Sequence, residues 1–99
     1  MNINIQTVHF DADQKLLSLV QKKLDKLETF HDKITRVEVF MKIENMAHVI
    51  KDKIVEIKIY IPKQACFVKA TSKTFQTSFD KAFHAITHQL VKKKEKIAA

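Results

Sequence analysis

Between Arg36 and Thr71 the chain alternates apolar and polar residues in three successive runs, and this restricts its fold more than any other feature. In RVEVFMKIE, Val37, Val39, Met41 and Ile43 point one way, while Glu38, Phe40, Lys42 and Glu44 point the other. KIVEIKIYIP repeats the pattern with Val55, Ile57, Ile59 and Ile61 on one side, and Pro62 stops it. Residues 66–71 form the third run after a tight connection at Lys63 and Gln64. Side chains of a strand alternate between its faces, so each run reads as a strand with one buried face. A short fourth strand opens the chain, where Ile3, Ile5 and Thr7 alternate with polar partners in MNINIQT. Residues 45–51 read as a loop.

Two other segments repeat at helical spacing. Over residues 12–30 the apolar side chains are Leu16, Leu17, Val20, Leu24 and Leu27. Asp11 and Asp13 offer N-caps ahead of them, and the polar segment 31–35 ends the helix. The last helix starts near Ser72 or Thr74 and buries Phe75, Phe79, Ala82, Phe83, Ile86 and Leu90. Residues 93–99 are expected to fray into solvent. The order is β-α-β-β-β-α. A strand–helix–strand start favours a right-handed crossover between parallel strands, and the short connections that follow favour an antiparallel meander. One apolar stripe per helix and one strongly apolar face per strand predict an α+β fold. It is a four-stranded mixed sheet with two helices packed on one face. No repeat or linker divides it, so residues 1–99 read as a single domain.

Glycine is absent, which excludes every Gly-rich phosphate loop and lowers the expectation of catalysis. The formal net charge is +7, from 18 Lys and Arg against 11 Asp and Glu, and it points to a polyanionic partner. Solubility alone is the plainer explanation of that charge. The one cysteine, Cys66, lies in an alternating stretch and reads as a small buried hydrophobe. No segment resembles a signal peptide or is long enough to cross a bilayer, so a cytoplasmic protein is expected.

The cations fall into rows. Lys15, Lys22 and Lys26, separated by seven and four residues, form a stripe that Lys33 would continue, with Lys23 beside it. Lys81, His84, His88 and Lys92 form a second stripe, away from the phenylalanines. One such row reads as an ordinary solvated face. Two rows on the same side of a strongly basic domain favour phosphate binding to a folded RNA. His84 and His88 also stand four apart, a spacing used at zinc sites. A zinc site needs three or four ligands, and neither a zincin glutamate nor a Cys or carboxylate cluster accompanies them. The pair fits the cationic row better, and no metal or other cofactor is expected. On the other sheet face, Phe40, Tyr60 and Phe67 alternate with Lys42, Lys58 and Lys69. Cross-strand shielding is the first reading of this face, weak self-association the second and base stacking the third.

QKKLDKLETF, residues 21–30, resembles the first-helix signature of the ribosome hibernation promoting factors, also called ribosome-associated inhibitors. MNINIQTVHFDAD is similar to their opening strand and cap. SFDKAFHAITHQLVKKKEK resembles their last helix, with Asp80, Ile86, Gln89, Leu90, Lys92, Lys94 and Lys96 at its pattern positions. The resemblance runs over essentially the whole chain and agrees with the element order. It implies a non-enzymatic inhibitor of translation in stationary or stressed bacteria. Such a protein binds the small ribosomal subunit in the channel for messenger and transfer RNA, contacting ribosomal RNA through both helices. It implies no membrane and no small-molecule substrate. Lys22, Lys23 and Lys26 match the family's basic positions on the first helix, Lys92 and Lys94 those on the second, and His88 stands where an arginine is common. Thr29, Ala85 and Val91 replace residues that are often basic, which thins the basic face. Long members carry a second domain for pairing ribosomes, so the chain reads as a short form. A generic double-stranded RNA-binding domain, a self-associating module and an enzyme are the competing readings.

Overall fold

The computed structural model describes residues 1–44 and 52–98, with side chains as far as Lys93. The expected loop at 45–51, with His48 in it, lies outside the described residues. The elements are β1 (Asn2–Val8), α1 (Gln14–Asp25), a 3-10 turn (Lys26–Thr29), β2 (Arg36–Glu44), β3 (Asp52–Ile61), β4 (Gln64–Ser72) and α2 (Phe75–Ala98). The sheet order is β1-β2-β3-β4. Strand β1 runs parallel to β2, and the other two pairings are antiparallel. This is the α+β, four-stranded mixed sheet that the periodicities predict.

The alternation selects the buried face. Val37, Val39 and Met41 of β2, Val55, Ile57, Ile59 and Ile61 of β3, and Cys66 and Val68 of β4 are all buried. They form one cluster with Val20, Leu24 and Leu27 from the first helical segment and Phe79, Ala82, Ile86 and Leu90 from α2. A single cluster fed by both helices and one sheet face means that the helices lie side by side on that face.

Each helix begins on a side-chain cap. Asp13 Oδ1 accepts from Leu16 N–H at 2.8 Å, so Asp13 and not Asp11 is the N-cap of α1. Thr74 Oγ1 accepts from Thr77 N–H at 3.1 Å at the start of α2. One turn further on, the buried Ser78 hydroxyl donates to the Lys53 carbonyl at 2.6 Å and ties α2 to β3.

Two boundaries differ from expectation. The first helix stops at Asp25 and tightens into the 3-10 turn, instead of running to residue 30. Thr29 Oγ1 donates to the Lys26 carbonyl at 2.7 Å, satisfying a carbonyl that a continuing helix would have used. Segment 31–35 separates the helical segment from β2 as expected, and it carries two buried side chains, Ile34 and His31, the latter only 2% exposed. His31 Nδ1 accepts the Lys33 N–H at 3.1 Å, while its Nε2 meets no hydrogen-bonding group among the described residues. Helix α2 runs as far as Ala98.

The second difference is the hairpin between β3 and β4. Ile61 pairs with Gln64, so the connection is Pro62–Lys63 and not Lys63–Gln64. Proline fixes the first turn position, and Lys63 takes φ 67° at the second, the pattern of a type II turn. Glycine ordinarily fills that second position, and this chain has none. Lys63→Val should therefore lower stability by about 1–2 kcal/mol, because a β-branched residue resists positive φ. Lys63→Gly should lower it little or not at all. Urea denaturation of both variants checks the pair.

Candidate nucleic-acid interface

The two helices are joined laterally by side chains that cross the gap between them. Lys23 of α1 forms an ion pair with Asp80 of α2. Phe30, just past the 3-10 turn, meets Phe83 edge-on with ring centroids 6.3 Å apart, and Phe83 stacks on Phe79 at 5.7 Å. At the other end, Phe10 stacks on Phe75 at 4.4 Å. These contacts fix the spacing of the helix faces that point away from the sheet.

Lys15, Lys22 and Lys26 are exposed along the crest of the first helical segment, opposite Val20, Leu24 and Leu27. Lys81, His88 and Lys92 are exposed along the crest of α2, opposite Phe79, Ile86 and Leu90. Each crest lies opposite a stripe buried against the same sheet face, so both cationic rows face solvent on the same side of the domain. Asp25 on the first segment is held at 3.0 Å by the Gln21 side-chain amide. The crests form a basic surface that can neutralise phosphates.

The remaining residues of the expected site divide. Lys23 does not belong to the crest, since its side chain is 36% exposed and engaged with Asp80. Lys33 is exposed, but it follows the 3-10 turn and does not extend the helical row. Lys94 lies within α2, and its side chain is outside those described. His84 is exposed but turned toward the first helix, where it walls a groove of about 510 Å³. Phe30 and Phe83 contribute apolar surface to that groove, with His88, Thr87 and Val91 along α2 and the Lys23–Asp80 pair beside them. The sequence reading placed Phe83 in the core and missed Phe30, Thr87 and Val91 as lining residues. The spacing of Phe83, Thr87 and Val91 at four-residue steps marks one side of α2, but nothing in the sequence shows that the side stays open.

The outer sheet face is of a different kind. Tyr60 is flanked by the Arg36 guanidinium at 5.2 Å and the Lys58 ammonium at 5.0 Å from its ring centroid. Arg36 also pairs with Glu38 at 2.9 Å, and Lys42 with Glu56 at 3.5 Å. A hydrogen bond from Tyr60, reinforced by Arg36 and Lys58, holds the Glu38 carboxyl below the usual carboxylate range. The cations of this face are thus largely matched by acids and a ring. Phe67, 54% exposed, is its open aromatic.

Cys66 is buried, and burial pushes its thiol up, away from the reactive thiolate. Among the described residues, no group of three or more His, Cys, Asp and Glu could hold a metal ion, and no helix is long and apolar enough to cross a membrane.

A family model described as "Sigma 54 modulation protein / S30EA ribosomal protein" matches residues 3–98. The chain belongs to that family. It is 32% identical over 96 residues to the ribosome hibernation promoting factor of Pseudomonas putida, covering 97% of this chain and 89% of that one. The ribosome hibernation promoting factor of Azotobacter vinelandii is 29% identical, with 97% and 85% covered. Among solved structures, a ribosomal subunit interface protein from Coxiella burnetii superposes with a TM-score of 0.84 at 24% identity, covering 96% of this chain and 99% of that one. The N-terminal domain of Thermus thermophilus Protein Y gives 0.79 at 19% identity, over 93% and 98%. At such identities the two structures establish the S30EA fold alone. The four-stranded sheet with its two paired helices is therefore the fold of the family.

Proposed function

We propose that the protein is a ribosome hibernation factor. It binds the small ribosomal subunit, lays its two basic helix crests on ribosomal RNA in the channel for messenger and transfer RNA, and blocks translation by occupancy, without catalysis. Its relatives named as ribosome hibernation promoting factors support the ribosome as target. The observation that carries the RNA contact is the pair of exposed cationic crests on one side of the domain. Phosphates bind such rows because condensed counterions are released on contact. The matched charges of the outer sheet face make it the weaker candidate surface.

Salt dependence tests the reading. If about six phosphates are neutralised, log affinity for small subunits should fall with log salt at a slope on the order of −4 to −5. Co-sedimentation with purified subunits across a salt series measures it. Binding that ignores salt, or no binding at low salt, contradicts an electrostatic RNA face.

A further inference from the structure

The groove between the helices has a composition unlike the crests beside it. Its rings, Phe30 and Phe83, are half-buried and set edge to face. Val91 is 39% exposed beside them, an apolar side chain in the midst of basic residues. The Lys23–Asp80 ion pair borders the groove. His84 and His88 stand one helical turn apart along α2, and neither imidazole has a hydrogen-bond partner among the described residues. Thr87 is occupied, since its hydroxyl donates to the His84 carbonyl at 3.0 Å. The groove is thus an apolar slot with two uncommitted imidazoles on its wall, set between two rows of cations.

We infer that this slot receives one unpaired base of a single-stranded RNA segment, stacked against the exposed parts of Phe30 and Phe83, while the flanking phosphates lie on the crest lysines. The inference rests on the RNA-binding reading and adds to it a site for a base, which phosphate neutralisation alone does not require. Charge complementarity selects the occupant. A ligand that reaches the slot between these crests must carry negative charge on both sides of a flat apolar group, and a nucleotide within a strand does so. Stacking on an aromatic side chain tolerates any base, because every base has a π face. His84 and His88 can each donate to or accept from the base edge, since a neutral imidazole carries one donor and one acceptor. The volume of about 510 Å³ falls within the range of small-ligand sites.

The test uses a short unstructured RNA, the same RNA with one central abasic nucleotide, and the same RNA with 2-aminopurine at that position. Each is titrated against the full chain and against Val91→Trp, which fills the slot without changing charge. A melting curve and whole-subunit binding are recorded for both proteins. The expected result is that the abasic RNA binds the original protein about tenfold more weakly than the intact one, in line with loss of one stacked base. The 2-aminopurine fluorescence should fall on binding. In Val91→Trp the intact and abasic RNAs should bind alike. Equal affinities for both RNAs in the original protein, with no fluorescence change, overturn the slot and leave the salt-dependent crests standing. Binding of whole subunits without binding of either oligonucleotide also overturns it. So does a Val91→Trp variant that weakens subunit binding while oligonucleotide binding stays indifferent to the base, an outcome that assigns the groove to a protein contact. Failure of the original protein to bind subunits or oligonucleotides at all removes the RNA reading, and the slot with it.

Discussion

Phe79→Ala lowers the stability of the domain by about 3–5 kcal/mol, the loss expected when a large buried aromatic leaves a cavity. Phe79 is fully buried and contributes to the cluster shared by both helices and the sheet. It also stacks on Phe83, which in turn meets Phe30 across the gap, so its ring sits beneath the lateral contact between the helices. A domain of this size has only about 5–15 kcal/mol of stability in total, and the variant should be marginal or unfolded at 37 °C. Phe83→Ala should cost less, because Phe83 is only half-buried. Urea or thermal unfolding of the two variants checks the order. Equal losses would mean that the helices do not share the core as described.

The strands were legible because period two leaves little freedom. A one-residue slip of β3 against β2 or β4 would turn Val55, Ile57, Ile59 and Ile61 away from the buried face that they share with their neighbours. The helix starts were legible from oxygen-bearing residues ahead of apolar stripes, although the choice of Asp13 over Asp11 and Thr74 over Ser72 needed the backbone. The end of the first helix was not. His31 looks like a loop residue by type, yet tertiary packing buries it after the helix tightens at Lys26. The crests could be read from spacing, because spacing along a helix fixes a face. The groove could not, because its walls belong to elements far apart in the chain. Lys23 and Asp80 stand 57 residues apart, and only their juxtaposition turns a basic position into an interhelix strut.

Reversing Lys22, Lys26 and Lys92 to glutamate should lower affinity for the small subunit by on the order of ten-thousandfold. An exposed ion pair at contact distance is worth about 1 kcal/mol in water, and each reversal replaces that attraction with repulsion. Each reversal also removes a released counterion, so the salt slope should flatten as the affinity falls. All three side chains are exposed. Exposed substitutions usually change stability by no more than about half a kcal/mol each. The melting curve should therefore move little while binding collapses, which separates a lost contact from a lost fold.

The most direct measurement is small-subunit binding by two triple reversals compared side by side, each with its melting curve. One carries glutamate at Lys22, Lys26 and Lys92 on the crests, and the other at Lys42, Lys58 and Lys69 on the outer sheet face. Both variants have the same net charge, so any difference in affinity comes from where the charges sit. The helix-crest account predicts that the crest variant stays folded and loses binding, while the sheet variant binds nearly as the original protein does. A crest variant that is folded and binds normally, beside a folded sheet variant that does not bind, contradicts it and moves the RNA surface to the face around Phe67.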